Sequence, residues 1–420
     1  MDAGSVAREY VLLGLRCGRV VPGLVDAYSG DPSVRAMVAS SPRPRADELG
    51  RRAAYLRAEL PSAGLVARRA DFLDRQLAAL ECAMGALSGT APPFRVELRA
   101  YFDTEVEWGD PDRYRQAHAE LAELLPGGGS LAARMAAYRK REELPLGLLA
   151  PAVQALSGAL CALTGRAVEL PTGEAVYYEL GRDRPWSAFN HYLGGYRSKV
   201  VVNADMARRV SALPHLVAHE AYPGHHTERC RRESLQVRVE GRAEHTLFLL
   251  NTPECLLSEG LAELGLAAAV GPGWGRWTEG VLAGLGIRMD GELAERIERV
   301  VRQLMPARQD AALMLHERRT DPEEVLAYLR RWLLVTEPRA TQMLRFMRHP
   351  VWRAYTTTYV EGHRLVRAWL AAAAPGEPAM ARFRRLLDEP LTPSAVRAEL
   401  AGATAWPAHS ATRADSEVAG

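Results

Sequence analysis

His219-Glu220-Ala221-Tyr222-Pro223-Gly224-His225-His226 places three imidazoles and a carboxylate within eight residues, beside an apolar helical approach. That density of donors is metal-site chemistry. A hydrolytic zinc site usually takes three nitrogen or oxygen side chains and leaves one position for water, whose acidity the metal raises. Glu220, next to the candidate ligand His219, is the expected general base and proton shuttle.

The familiar helical form of this chemistry is H-E-x-x-H, with both histidines on one face and the glutamate as base. Here the residue four after His219 is Pro223, which has no N–H to give and whose ring clashes with the preceding turn, so the helix must end or kink near Tyr222. Gly224 then permits the turn. His225 or His226 returns toward His219 only over a bent backbone, and straight-helix spacing does not choose between them. The one left over is expected to line the cleft or hold a carboxylate.

The string from His219 to His226, the later Ser258-Glu259-Gly260-Leu261-Ala262 and the 186–203 segment resemble the bacterial family catalogued as domain of unknown function 885, a zincin-like group. The resemblance runs over most of the chain. It implies a mainly α, large helical zincin-like fold with a small antiparallel β-sheet beside the metal-binding helix. It favours His225, directly after Pro-Gly, as the second ligand, and leaves His226 to a catalytic role in the cleft. Glu259, on a downstream helix, is the expected third ligand, as in glutamate-type zincins. Glu263, one turn further on, is placed to hold a ligand histidine from behind. The 355–364 stretch resembles the family's late tyrosine-glycine element, from which Tyr359 is expected to donate to an oxyanion, with His363 behind it. Leu261 and Leu264 stand where the family carries aromatics, which alters the expected pocket shape.

Around these residues the pattern is helical. Residues 1–165 read as a helical scaffold, 166–400 as the catalytic region, and 402–420 as a disordered tail. Within the catalytic region the small sheet is expected at 174–204, the metal helix at 212–226 and the glutamate helix at 253–270. Trp186, Asn190 and Tyr192 lie in the loop between two β-rich runs and are expected to form cleft wall. The run 198–203, with Val201 and Asn203, is the expected edge strand that binds substrate backbone. The 94–102 stretch stays open between strand and helix, and 247–250 reads as helical. The charged 229–242 segment reads as a solvated face. His215, one turn before His219, and His245 read as packing histidines.

The 420 residues carry 53 basic and 51 acidic side chains, a net charge of +2, so no global field attracts nucleic acid or a lipid surface. No stretch reads as long and apolar enough to span a bilayer, and the start lacks the pattern of a signal peptide. Five scattered cysteines without a C-x-x-C pair fit a reducing cytoplasm. The expected partner is a peptide or small amide substrate, with no nucleic acid and no membrane; a homodimer stays open. One zinc per chain is the expected cofactor, although this donor set also accepts manganese, iron or cobalt. The leading expectation is a zinc metallopeptidase-like hydrolase. The rivals are a metal-dependent tailoring enzyme or non-peptide amide hydrolase acting on a small metabolite, and a helical protein with a closed structural zinc site.

Overall fold

The helix Pro253–Ala269 organises the molecule, because its first ten residues, through Ala262, are all buried. A helix without a solvent face has to be the centre of its fold. Thr252 caps it, its hydroxyl accepting from the Cys255 N–H, and Pro253 takes the first position, where the missing N–H costs nothing. Around it pack Leu213–Glu220, Phe94–Phe102, His363–Ala371, Ala379–Asp388 and the π-helical turn Thr358–Gly362. At the tightest crossing a Cβ on Gly260 would stand 2.3 Å from the Gly362 carbonyl oxygen, so only glycine fits.

The computed structural model describes residues 1–402 apart from 90, 184, 185, 206, 207 and 375. The expected disordered tail lies outside the described residues from 403 onward. The fold is mainly α, as expected, and its strands are few. They are β1 (Val25–Tyr28), β2 (Ala175–Gly181), β3 (Ala188–Gly194), β4 (Arg197–Asn203) and β5 (Leu247–Leu249). β1 pairs antiparallel with β5, while the larger sheet runs β2-β4-β3.

Several expectations change here. The larger sheet is mixed, not antiparallel: β2 runs parallel to β4 and β3 antiparallel to it. β4, expected at the edge, is the central strand; its Val200-Val201-Val202 run is the most apolar of the three and takes the position paired on both sides. The 94–102 stretch is a helix, and 247–250 contributes β5 instead of helical structure. The charges of 229–242 form a solvated face only at the end, where Arg238 and Glu240 are exposed. Arg229, Arg231, Arg232 and Glu233 are buried, with Arg231 forked onto Asp388 at 2.7 and 2.9 Å and Glu233 accepting from Tyr192 at 2.6 Å. Pairing makes that burial tolerable.

The helix Leu146–Gly165 is 20 residues long with a mean hydropathy of 1.8, so it is long and apolar enough to cross a membrane by those two measures, against expectation. Its uncharged run of Leu, Ala and Gly gives the value. Its buried stripe, Leu149, Val153, Leu156 and Leu160, packs in the same core as Val200 and Val202 of β4 and Val217 of the histidine helix.

Candidate metal centre

The histidine helix Leu213–Glu220 stops where Pro223 requires, and the Tyr222-Pro223 bond is cis. The chain doubles back so tightly that the Gly224 N–H reaches the Ala218 carbonyl at 2.9 Å. A new helix, His225–Arg231, starts at once. The turn delivers His225, not His226, to His219: their rings meet edge to face at 4.7 Å between centroids.

His219, His225 and Glu259 form a cluster whose nearest donor atoms all lie within 4.8 Å of one another. Nε2 of His219 stands 3.5 Å from Glu259 Oε2, and Nε2 of His225 stands 3.3 Å from Glu259 Oε1. The opposite ring nitrogens are already engaged. His219 Nδ1 faces Glu263 Oε1 at 3.5 Å, and His225 Nδ1 faces the Ser258 hydroxyl at 3.3 Å. Glu263 is tied in turn to Arg302 at 2.6 Å, and Ser258 donates to Glu228. A metal-binding histidine is normally held in this way, one nitrogen oriented from behind and the other turned inward. Glu259 Oε2 is buried without a hydrogen-bond partner, an orphan that a cation would satisfy. The donor set therefore fits a zinc-type ion.

The electrostatics agree. Burial works against protonation of His225, but Glu259 and Glu228 outweigh it and hold its pKa up at about 10. Burial likewise pushes the Glu259 carboxyl up, and His225 and His219 more than reverse this. Glu228 is drawn down to about 2, as Arg229 and His225 overcome its burial. Burial raises Glu220, with His219 and His225 opposing.

Glu220, buried at the helix end, opens on the same cleft, a space of about 650 Å³ counting its mouth. Trp186 and Asn190 line it, as expected, and Asn190 fixes Glu220 by donating to its backbone carbonyl at 2.5 Å. Tyr359 lines it too, and its hydroxyl makes no hydrogen bond among the described residues. Five expected site residues stand elsewhere. Tyr192 is buried against Glu233, and Val201 and Asn203 sit inside the sheet on the central strand. His226 is fully buried between Ser198, at 2.9 Å, and Glu174, at 2.7 Å, where it ties the second histidine's helix to β4 and β2's approach. It does not line the cleft; of the two places expected for the left-over histidine it takes the second and holds a carboxylate, that of Glu174. His363 does not line the cleft; burial and Arg302 lower its pKa to about 4. Glu263 holds His219, as expected. His215 packs edge-on against Trp274 and His245 against Phe72, both as read.

Other cleft residues escape the sequence reading. Tyr355, one turn before Tyr359, donates to Glu259 Oε1 at 2.7 Å. Its pairing with Tyr359 at helical spacing was the available signal. Arg229, four after His225, was findable in the same way; Asp26, held up at about 6 by burial against the pull of Arg229, arrives from distant β1 and had none. Tyr355→Phe is expected to fold normally and weaken zinc binding by about 10–100-fold, as removal of a group behind a ligand does. Competition against a chromophoric chelator measures it.

No protein-family model matches the chain, and no curated protein matches it. Two solved structures do share its fold. One is described as "the putative lipoprotein from Colwellia psychrerythraea", at 15% identity and a TM-score of 0.51, covering 88% of this chain and 69% of the other. The second, "a putative lipoprotein of unknown function from Shewanella oneidensis", aligns at 12% identity and a TM-score of 0.51, over 88% and 76%. Fold and site together define a mainly helical protein with a largely buried His-His-Glu donor cluster lining a cleft.

Proposed function

We propose that the protein is a zinc-dependent hydrolase that cleaves a peptide or amide bond. The observation that carries this is the convergence of His219 Nε2 and His225 Nε2 on Glu259, with Glu220 opening beside them on one cleft. Zinc held by His219, His225 and Glu259 would acidify a bound water and polarise the scissile carbonyl. Glu220 takes the proton as the water oxygen bonds to the carbonyl carbon, and delivers it to the amine nitrogen as the C–N bond breaks. Tyr359, whose hydroxyl is uncommitted, donates to the oxyanion, while that of Tyr355 is spent on Glu259.

β3 replaces β4 as the strand that orients substrate. The Asn203 N–H bonds the Ser187 carbonyl, which sets the antiparallel phase so that the backbone groups of Ala188 and Asn190 point away from β4. Both residues line the cleft, so an extended peptide can add there as a further strand. The resemblance to the domain of unknown function 885 supports the same chemistry. A small-metabolite amide is the second reading, favoured by how little room the cleft encloses, about 70 Å³ open to the centre of a water-sized sphere. The closed structural site has less support, since His226 is not among the clustered donors. On location, the two neighbours' names point to a lipid-anchored or secreted protein, and five unpaired cysteines to a reducing compartment; we favour the cytoplasm on the cysteines.

Elemental analysis tests the proposal. About one zinc per chain is expected in protein purified without chelator, and none in Glu259→Ala. Wild-type protein that takes up no transition metal when zinc is supplied removes the mechanism.

A further inference from the structure

Arg229 lines the cleft, and among the described residues no other arginine or lysine does. It stands four residues after His225 on the helix His225–Arg231, so its side chain leaves the same face as that metal donor, about 5–6 Å along. The guanidinium lies over the ring of Phe248, 3.3 Å from the centroid, and Phe248 lines the cleft as well. Stacking of this kind holds the planar head in place and leaves the N–H groups around its edge free to donate.

Those donors are unspent. Arg229 is only 8% exposed, yet among the described residues its guanidinium makes no hydrogen bond and no ion pair. The carboxylates on its own and the neighbouring helices are engaged elsewhere: Glu228 accepts from Ser258, Glu233 from Tyr192 and Arg238, and Glu254 from Gln76. Asp26 lines the same cleft but makes no ion pair with it. A buried guanidinium without an acceptor is costly, so an incoming anion is its missing partner. One guanidinium among Asp26, Glu220 and Glu259 suits a singly charged carboxylate better than a doubly charged phosphate, and carboxylate oxygens match the parallel N–H bonds of the fork.

Position selects the carboxylate. An α-carboxylate next to a scissile amide lies one residue, roughly 3.5 Å of extended chain, from the carbonyl that meets the metal. That is the scale of the single helical turn between His225 and Arg229. A peptide cleaved internally has to run on past Arg229, and the cleft encloses little room for it. We propose that Arg229 anchors a free α-carboxylate of the substrate, so that the cleft takes N-acyl amino acids or peptides and releases their carboxyl-terminal residue. Water supplies OH to the acyl carbon and H to the amine of the released amino acid as the C–N bond breaks. The release rests on the hydrolase reading; the carboxylate site does not.

Calorimetric titration with N-benzoyl-glycyl-phenylalanine and with its C-terminal carboxamide tests it, in a Glu220→Gln background that prevents turnover. The phenyl groups suit the wall formed by Phe346 and Trp352. The acid is expected to bind about tenfold or more tighter than the amide, as charge-assisted hydrogen bonds imply, and Arg229→Gln is expected to erase the difference. Arg229→Lys, which keeps the charge without the fork, should retain part of it, and unchanged zinc content and thermal unfolding in both variants exclude a folding artefact. N-benzoyl-glycyl-glutamic α-amide, which carries its carboxylate on the side chain, should bind no better than the carboxamide. No binding of the acid, equal binding of acid and amide, a preference that survives Arg229→Gln, or equal binding of the side-chain acid overturns the proposal. A preference for the acid that depends on Arg229, without any peptide or amide hydrolysis by wild-type protein, would overturn the hydrolase reading alone.

Discussion

Glu220→Gln is expected to keep its zinc and to lose about 10²–10⁴-fold in kcat for peptide or amide hydrolysis, the range that a positioned general base contributes. The substitution is nearly isosteric, so it leaves His219, His225 and Glu259 in place. Glu220 is also fixed independently of its charge: Asn190 holds its backbone carbonyl, and the helix that carries it ends there. Its carboxylate makes no hydrogen bond among the described residues, so glutamine forfeits proton transfer and little else. Metal content measured on the same sample separates a lost base from a lost metal. A variant that hydrolyses within a few-fold of wild type would rule out Glu220 as the base, whatever the metal content.

Only part of the donor cluster was legible from local logic: Pro223 and Gly224 dictate a break within one turn that brings one of the two following histidines back toward His219. Which histidine, and that Glu259 on a separate helix joins it, came from the family resemblance. Glu263 followed by helical spacing, one turn beyond Glu259. The cleft walls were not legible. Whether 198–203 is an edge or a centre shows only against its partners β2 and β3, next to which its valine run is the most apolar. The error carried Val201 and Asn203 with it. His226's catalytic place in the cleft failed because Glu174, 52 residues away, is the carboxylate it holds, and the buried charges of 229–242 were misread because Asp388 and Tyr192 are distant in sequence. A charge run that looks solvated can be internal when its partners come from elsewhere in the fold.

Gly224→Ala is expected to cost the protein its metal site, although it changes no ligand. A Cβ on residue 224 would lie 2.0 Å from the His219 carbonyl oxygen and 2.3 Å from that of Ala218. Both obstacles are backbone, so no side-chain rotation relieves them. Relief has to come from moving the end of the histidine helix or the start of the next, and these carry His219 and His225. The Gly224 N–H bond to Ala218 that closes the turn is lost as they part. Overpacking alone costs about 1–3 kcal/mol, and displacing a ligand should lower zinc affinity by more than the roughly 10–100-fold seen when only a supporting group is lost. Gly280→Ala is the matched control: it sits in the helix Trp274–Ala283 with nothing within 4 Å of the added carbon, and should bind zinc as wild type does. Zinc stoichiometry and thermal unfolding of the two variants decide the point. Wild-type zinc affinity in Gly224→Ala would mean that the tight turn does not hold His219 and His225 together, and that the site is assembled from the Glu259 side.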